Sequence, residues 1–256
     1  MNCFSRDNIY VSNGMIIKKK KTRTTVEENR LLVGYRNYDP ILLNEKLFHL
    51  GKMEYVIQDI INGIPYQECP FLLRSEDLES YPFITIKYPK LKQVILTPDT
   101  ITSWLPHILF AVKTLHQKNI YHLDINPNNI LYCSTDDKYI LIDYGTCVCQ
   151  NIITFKHVVG TLGYIAPELY LKKNIYLDKL DIYSLGRLIF YVQHGFHLRD
   201  DEIQESVTQG IINAYATCRQ NYILTSFDRI VSRMICVDPQ QRYSIDEVIV
   251  ACNLIL

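Results

Sequence analysis

The sequence predicts an α+β protein with a small β-rich part ahead of a larger helical part. Three observations predict it. Residues 1–88 read as short runs of Val, Ile, Leu and Tyr broken by turn signals. From Pro98 onward apolar residues recur at helical spacing, and two brief apolar strands interrupt that helical part near its start.

Taken in order, Asn8–Ser12, Met15–Lys20, Leu31–Arg36 and Phe83–Tyr88 are the expected extended pieces, with turns at Ser12-Asn13-Gly14 and Tyr38-Asp39-Pro40. One helix is expected among them at Leu42–Met53, where Leu43, Leu47 and Leu50 share a face. Thr97-Pro98-Asp99 opens a helix with a stripe of Ile101, Leu105, Ile108, Leu109, Val112 and Leu115. Two strands, Ile130–Cys133 and Tyr139–Ile142, flank the polar turn Ser134–Lys138. Helical patterns then return at Asp181–Gln193, at Phe227–Val237 and after Ser244.

Composition narrows the function classes. The 256 residues are 48% hydrophobic and 21% charged, ordinary for a soluble globular protein. The 27 basic and 27 acidic residues cancel, so no global field draws the chain to nucleic acid or to a membrane. Met1–Gly14 lacks the apolar core of a secretory signal, and no apolar run reaches the ~18 residues a membrane span needs. An intracellular location, cytoplasmic or nuclear, follows as the expectation, with all eight cysteines reduced and mostly buried. Cys147 and Cys149 alternate along a strand, which argues against a shared metal. The basic run Lys18-Lys19-Lys20-Lys21-Thr22-Arg23 reads as a solvated strand end, with a nuclear-localisation role as the lesser alternative.

The residues that carry chemistry sit between the long helix and the strand pair. His122-Leu123-Asp124-Ile125-Asn126-Pro127-Asn128-Asn129 precedes the strands, Asp143-Tyr144-Gly145 ends them, and Ala166-Pro167-Glu168 follows. Phosphoryl transfer needs oxygen ligands converging on metal ions from separate segments, and a carboxylate beside the attacking hydroxyl. Asp124 can be that carboxylate, and Asn129 and Asp143 can be the metal ligands.

These motifs resemble those of eukaryotic protein kinases. Residues 122–129 are similar to the catalytic loop H-R-D-x-x-x-x-N, Asp143-Tyr144-Gly145 to D-F-G, and Ala166-Pro167-Glu168 to A-P-E. Gly160-Thr161-Leu162-Gly163-Tyr164, Asp181-Ile182-Tyr183-Ser184-Leu185-Gly186 and Asp238-Pro239-Gln240-Gln241-Arg242 resemble further family segments, in the family's order, and Ile84-Thr85-Ile86-Lys87-Tyr88 resembles the strand entering the hinge. The resemblance covers roughly residues 83–250. It implies a bilobal protein kinase-like fold, with residues 1–88 as the small lobe and 89–256 as the large lobe of one domain.

The same resemblance implies roles. Asp124 would accept or orient the proton of a substrate hydroxyl, and Asn129 and Asp143 would hold Mg²⁺ (or Mn²⁺) against the phosphates of ATP. Leu131 would lie under the adenine, Ile86 would be the gatekeeper, and Lys87, Tyr88 and Pro89 would form the hinge. Asp181 would brace the catalytic loop from beneath. Glu168 and Arg242 would form a buried ion pair whose one-sided loss costs about 3–5 kcal/mol. Thr161 would contact Asp124, which favours Ser/Thr over Tyr acceptors.

Three departures from the family pattern stand out. Leu123 replaces the Arg that gathers an activation-segment phosphate, so activity is expected not to depend on phosphorylation between Asp143 and Glu168, Thr146 and Thr154 being the sites to test. Asn126 replaces a Lys that contacts the γ-phosphate, although kinases of large DNA viruses or compacted parasite genomes look similar in this loop. No G-x-G-x-x-G is present, and spacing back from the hinge puts Tyr35 or Arg36 near the place of the family's strand Lys, with a Lys among 18–21 as the other candidate and Glu45 as the acid partner. The expected function is ATP-dependent Ser/Thr protein kinase acting on a protein substrate; the alternative is a pseudokinase that binds or regulates. A small-molecule kinase fits the Asp124, Asn129 and Asp143 set but not Glu168 or Asp181–Gly186.

Overall fold

The computed structural model describes residues 8–12, 15–20, 24–33, 53–81, 85–149, 158–172, 175–198 and 226–253. Its β-rich part is a four-stranded antiparallel sheet. Strands β1 (Asn8–Ser12), β2 (Met15–Lys19), β3 (Asp77–Glu79) and β4 (Thr85–Pro89) lie in the order β1-β2-β4-β3. In β4 burial alternates with the strand period, Ile86 and Tyr88 inward and Lys87 toward Asp77 across the ladder. The register sets Lys18 of β2 opposite Ile86.

Two helices accompany this sheet. Helix α1 (Val26–Val33) takes Leu31–Val33, which the sequence reading made part of a strand. A capping box decides the matter: Thr25 Oγ1 accepts from the Glu28 N–H at 3.1 Å, and Glu28 Oε2 accepts from the Thr25 N–H at 2.7 Å. Helix α2 (Met53–Asn62) begins where the expected Leu42–Met53 helix was to end, and residues 42–52 lie outside the described residues. Met53, Val56, Ile57 and Ile61 are buried on its inner face, the spacing of an amphipathic helix.

The helical part is built around α3 (Ile101–Gln117), whose stripe of Trp104, Leu105, Ile108, Val112 and Leu115 is wholly buried. A single 3₁₀ turn, Pro98–Thr100, leads into it. Strands β5 (Lys92–Gln93), β7 (Ile130–Cys133) and β8 (Lys138–Leu141) form a second sheet, and β6 (Ile120–Tyr121) pairs with β9 (Val148–Cys149). Beyond them lie α4 (Pro167–Leu171), α5 (Leu177–His194), α6 (Ser226–Met234) and α7 (Ile245–Asn253). Serine capping opens α7: Ser244 N donates to Glu247 Oε2 at 2.7 Å while Ser244 Oγ accepts from Glu247 N.

One core runs through both parts, from Leu32, Val56 and Ile86 to Ile189 and Val248. They are stitched together where Leu72 bridges Leu141 in parallel, with Leu141 N donating to Phe71 O at 2.9 Å and Leu73 N to Leu141 O at 3.2 Å. Six described cysteines, among them Cys147 and Cys149, are free thiols. Burial pushes Cys149 up to about 12 and Cys147 well above the usual thiol range, so both are inert. Among the described residues no helix is long and apolar enough to cross a membrane.

Candidate active site

The loop between β6 and β7 carries Asp124, and its backbone is held in a conformation that an L-residue adopts only at a cost. Leu123 has φ 62 and is buried among core residues. Asp181, at the buried start of α5, offsets that cost. Its Oδ2 accepts from the His122 N–H at 2.9 Å and its Oδ1 from the Leu123 N–H at 2.8 Å, while His116 Nε2 lies 2.9 Å from Oδ2. His122 is fully buried. Its Nε2 donates to Ile142 O at 3.0 Å and its Nδ1 accepts from the Asp124 N–H at 3.3 Å, which ties the loop to the end of β8. Gly160 must be glycine: at φ 106 an added Cβ would sit 2.9 Å from Leu123 O.

The Asp124 carboxylate collects three side chains. Thr161 Oγ1 donates to its Oδ1 at 2.7 Å, Asn126 Nδ2 to the same oxygen at 3.0 Å, and Asn129 Nδ2 to Oδ2 at 3.1 Å. Asn126 and Asn129 also donate to the Asp124 main-chain oxygen, at 3.1 and 2.8 Å. Asn126 is buried, and its Oδ1 accepts from the Asn128 N–H at 2.9 Å, capping the turn Pro127–Asn129. The residue in place of the family's Lys is thus built into the loop rather than extended into the cleft.

Asp143 stands beyond the strand pair at φ 64, its side chain 45% exposed. Ile142 N donates to Asn129 O at 3.0 Å, which sets Asn129 and Asp143 side by side in the fold. Lys18 Nζ lies 3.0 Å from Asp143 Oδ1 and 2.7 Å from Glu54 Oε1, joining β2, α2 and the Asp143 turn. Lys20 Nζ forms an ion pair with Glu54 Oε2 at 2.9 Å. Burial penalises each of these charges and their pairing overcomes it. Burial alone would lower the Lys18 ammonium, yet Glu54 and Asp143 hold it above its ordinary value. Burial would raise Glu54 and Asp143, yet Lys18 and Lys20 keep the Glu54 carboxyl, and Lys18 the Asp143 carboxyl, below its ordinary value.

The side-chain nitrogen of Asn129 is spent on Asp124, and its Oδ1 is engaged by no hydrogen bond among the described residues. That oxygen and the ionised Asp143 are a donor set suited to a hard divalent cation, which takes one or two protein oxygens and completes its shell with phosphate and water. No cluster of three or more His, Cys, Asp or Glu suited to a metal occurs among the described residues.

Away from this centre, Glu168 and Arg242 form a buried bidentate pair at 2.6 and 2.8 Å. The guanidinium also donates to the main-chain oxygens of Cys236, Lys179 and Val237 and lies over the Tyr183 ring at 4.8 Å. Leu131 in β7 faces Gln93 and Ile140, and Ile86 is wholly buried opposite Lys18. Lys87 and Tyr88 lie on β4.

Arg36 and Glu45, expected as the strand cation and its acid partner, lie outside the described residues, as do Tyr35, Asn13, Gly14 and Thr154. The contact with Asp143 belongs to Lys18, and its acid is Glu54. Lys18 falls in the run read as solvated; Lys18 and Lys20 are instead largely buried in ion pairs. The signal for Glu54 was the helical spacing of Met53, Val56, Ile57 and Ile61.

Known proteins resemble this chain in sequence. The sequence signature described as protein kinase domain matches residues 75–251. The chain is 31% identical over 155 residues to serine/threonine-protein kinase D2 of Rattus norvegicus, covering 59% of this chain and 18% of that one. It is 29% identical over 163 residues to the ovarian-specific serine/threonine-protein kinase Lok of Drosophila melanogaster, covering 60% and 34%. A putative serine/threonine-protein kinase of Acanthamoeba polyphaga mimivirus is 26% identical over 213 residues, covering 82% and 74%. The chain thus spans well under two thirds of the length of the first two relatives. A family signature over most of the chain, on a bilobal α+β fold with this site between its parts, leads to one conclusion: the chain belongs to the protein kinase domain family.

Proposed function

We propose that this chain is a metal-dependent Ser/Thr protein kinase that transfers the γ-phosphate of ATP to a protein hydroxyl. The observation that carries the reading is the Lys18 bridge to Glu54 and Asp143. It supplies, from the small lobe, the cation that phosphate binding needs and that the sequence pattern left open between Arg36 and a Lys among 18–21. Mg²⁺ or Mn²⁺, held by Asn129 and Asp143, would neutralise charge on the phosphates. Asp124 would take the proton of the incoming hydroxyl; its carboxylate is fixed by Thr161, Asn126 and Asn129, so little reorganisation is left for the reaction. Ile86 and Leu131 would enclose the adenine, with Lys87 and Tyr88 at the hinge between a small lobe of residues 1–88 and a large lobe of residues 89–256.

Activity without phosphorylation between Asp143 and Glu168 is part of the reading. Leu123 is buried in the core and offers no charge to a phosphate, and the Thr146 hydroxyl is engaged, donating to His122 O at 2.9 Å. The uncharged Asn126 favours the second reading, a pseudokinase that binds or regulates a partner. Transfer from labelled ATP with Mg²⁺ to a basic general acceptor separates the two. Wild type should label the acceptor and Asp143→Ala should not; equal, background labelling by both would sink the enzyme reading.

A further inference from the structure

Glu54 is a buried carboxylate beside the exposed Asp143, and two lysines serve it. Lys18 lies in β2 and Lys20 just past its end, and both side chains reach Glu54. Each takes a different oxygen: Lys18 lies 2.7 Å from Oε1 and Lys20 2.9 Å from Oε2. Lys18 is also shared with Asp143 at 3.0 Å, whose side chain opens to the cleft. Losing Lys20 would leave the cluster one charge more negative where a polyphosphate has to approach, and among the described residues Lys18 would be left to neutralise the buried acid. Asn126 brings no cation from the other side of the cleft.

We propose that Lys20 is a positioning residue of the nucleotide site: by neutralising Glu54 it keeps α2 seated while leaving Lys18 available to phosphate. This rests on the kinase reading above. The division of labour is set by depth. Lys20 pairs with the interior acid, whereas Lys18 spans from that acid to the exposed one. A nucleotide phosphate therefore competes with Asp143 and Glu54 for Lys18, and Lys20 weakens the hold of Glu54 in that competition.

Calorimetric titration with Mg²⁺-ADP tests this on the whole chain, with steady-state kinetics beside it. Lys20→Met should weaken ADP binding about tenfold and raise the KM for ATP in parallel, with kcat changed less. Lys20→Arg should restore most of the affinity. The double variant Lys20→Met/Glu54→Gln removes the orphaned negative charge with its lysine and should bind ADP more tightly than Lys20→Met. Lys20→Gln, which also removes the charge, reads the idea if Lys20→Met does not fold. ADP binding by the single variant equal to wild type overturns the proposal, and so does a double variant that binds no more tightly than the single one. Wild type that fails to bind Mg²⁺-ADP overturns instead the kinase reading on which it stands.

Discussion

Tyr144 uses every part of its side chain. The ring is fully buried and meets His122 edge-on at 6.0 Å, and its hydroxyl donates to Leu141 O at 3.0 Å while accepting from the Leu73 N–H at 2.7 Å. Burial holds the phenol well above its ordinary range, so it is a neutral donor at any working pH. Tyr144→Phe keeps the ring volume and loses the hydroxyl, which should reduce stability by about 1 kcal/mol. Urea unfolding should show a lower midpoint at unchanged slope; an unchanged midpoint would mean the hydroxyl contributes nothing. The Tyr was legible in the sequence as a substitution in a familiar triplet. Its purpose was not, because the amide it serves is 71 residues away.

Among the elements, the contact of α5 with α6 depends on a missing side chain. A Cβ on Gly186 would come within 2.7 Å of Ile235 Cγ2 and 2.8 Å of Met234 Cβ. Helix propensity favours Ala over Gly by about 1 kcal/mol, but forcing two packed elements apart costs about 1–3 kcal/mol. Met234 offers its Cβ, which has no freedom to swing aside, so the clash should win. Gly186→Ala should lower the melting temperature, and a rise would show that α6 moves away freely. Elements were legible where their signal is local. The stripe of α3, the strands at residues 130–142 and the serine that starts α7 were all read within a residue or two. Helix α1 was misread because Leu31, Leu32 and Val33 look β-like, although Thr25 and Glu28 announced a helix start.

Across the whole molecule, Lys18 links positions 36 and 125 residues distant, and no window of sequence could reveal that. The large-lobe half of the site was legible because Asp124, Asn129, Asp143 and Thr161 lie in short ordered motifs. The small-lobe half was assembled by ion pairing alone. That pairing also gives the fold an acid limit. The Glu54 carboxyl lies below its ordinary 4.5 in the folded state, so its contribution is complete above about that pH and is lost as pH falls toward the folded value. The stability difference between wild type and Glu54→Gln should therefore be constant near neutrality and shrink below about pH 4.5. A difference that stays level down to pH 3 would show that Glu54 is not held ionised by the lysines.

The Glu168–Arg242 pair closes a stretch 74 residues long, without a covalent bond. The entropy of closing a loop grows only with the logarithm of its length, so doubling such a stretch adds about 0.6 kcal/mol. A clasp with every guanidinium nitrogen engaged can absorb that many times over. The clasp should consequently keep Glu168 and Arg242 together even where the chain between them is lengthened by a tag or a reporter domain.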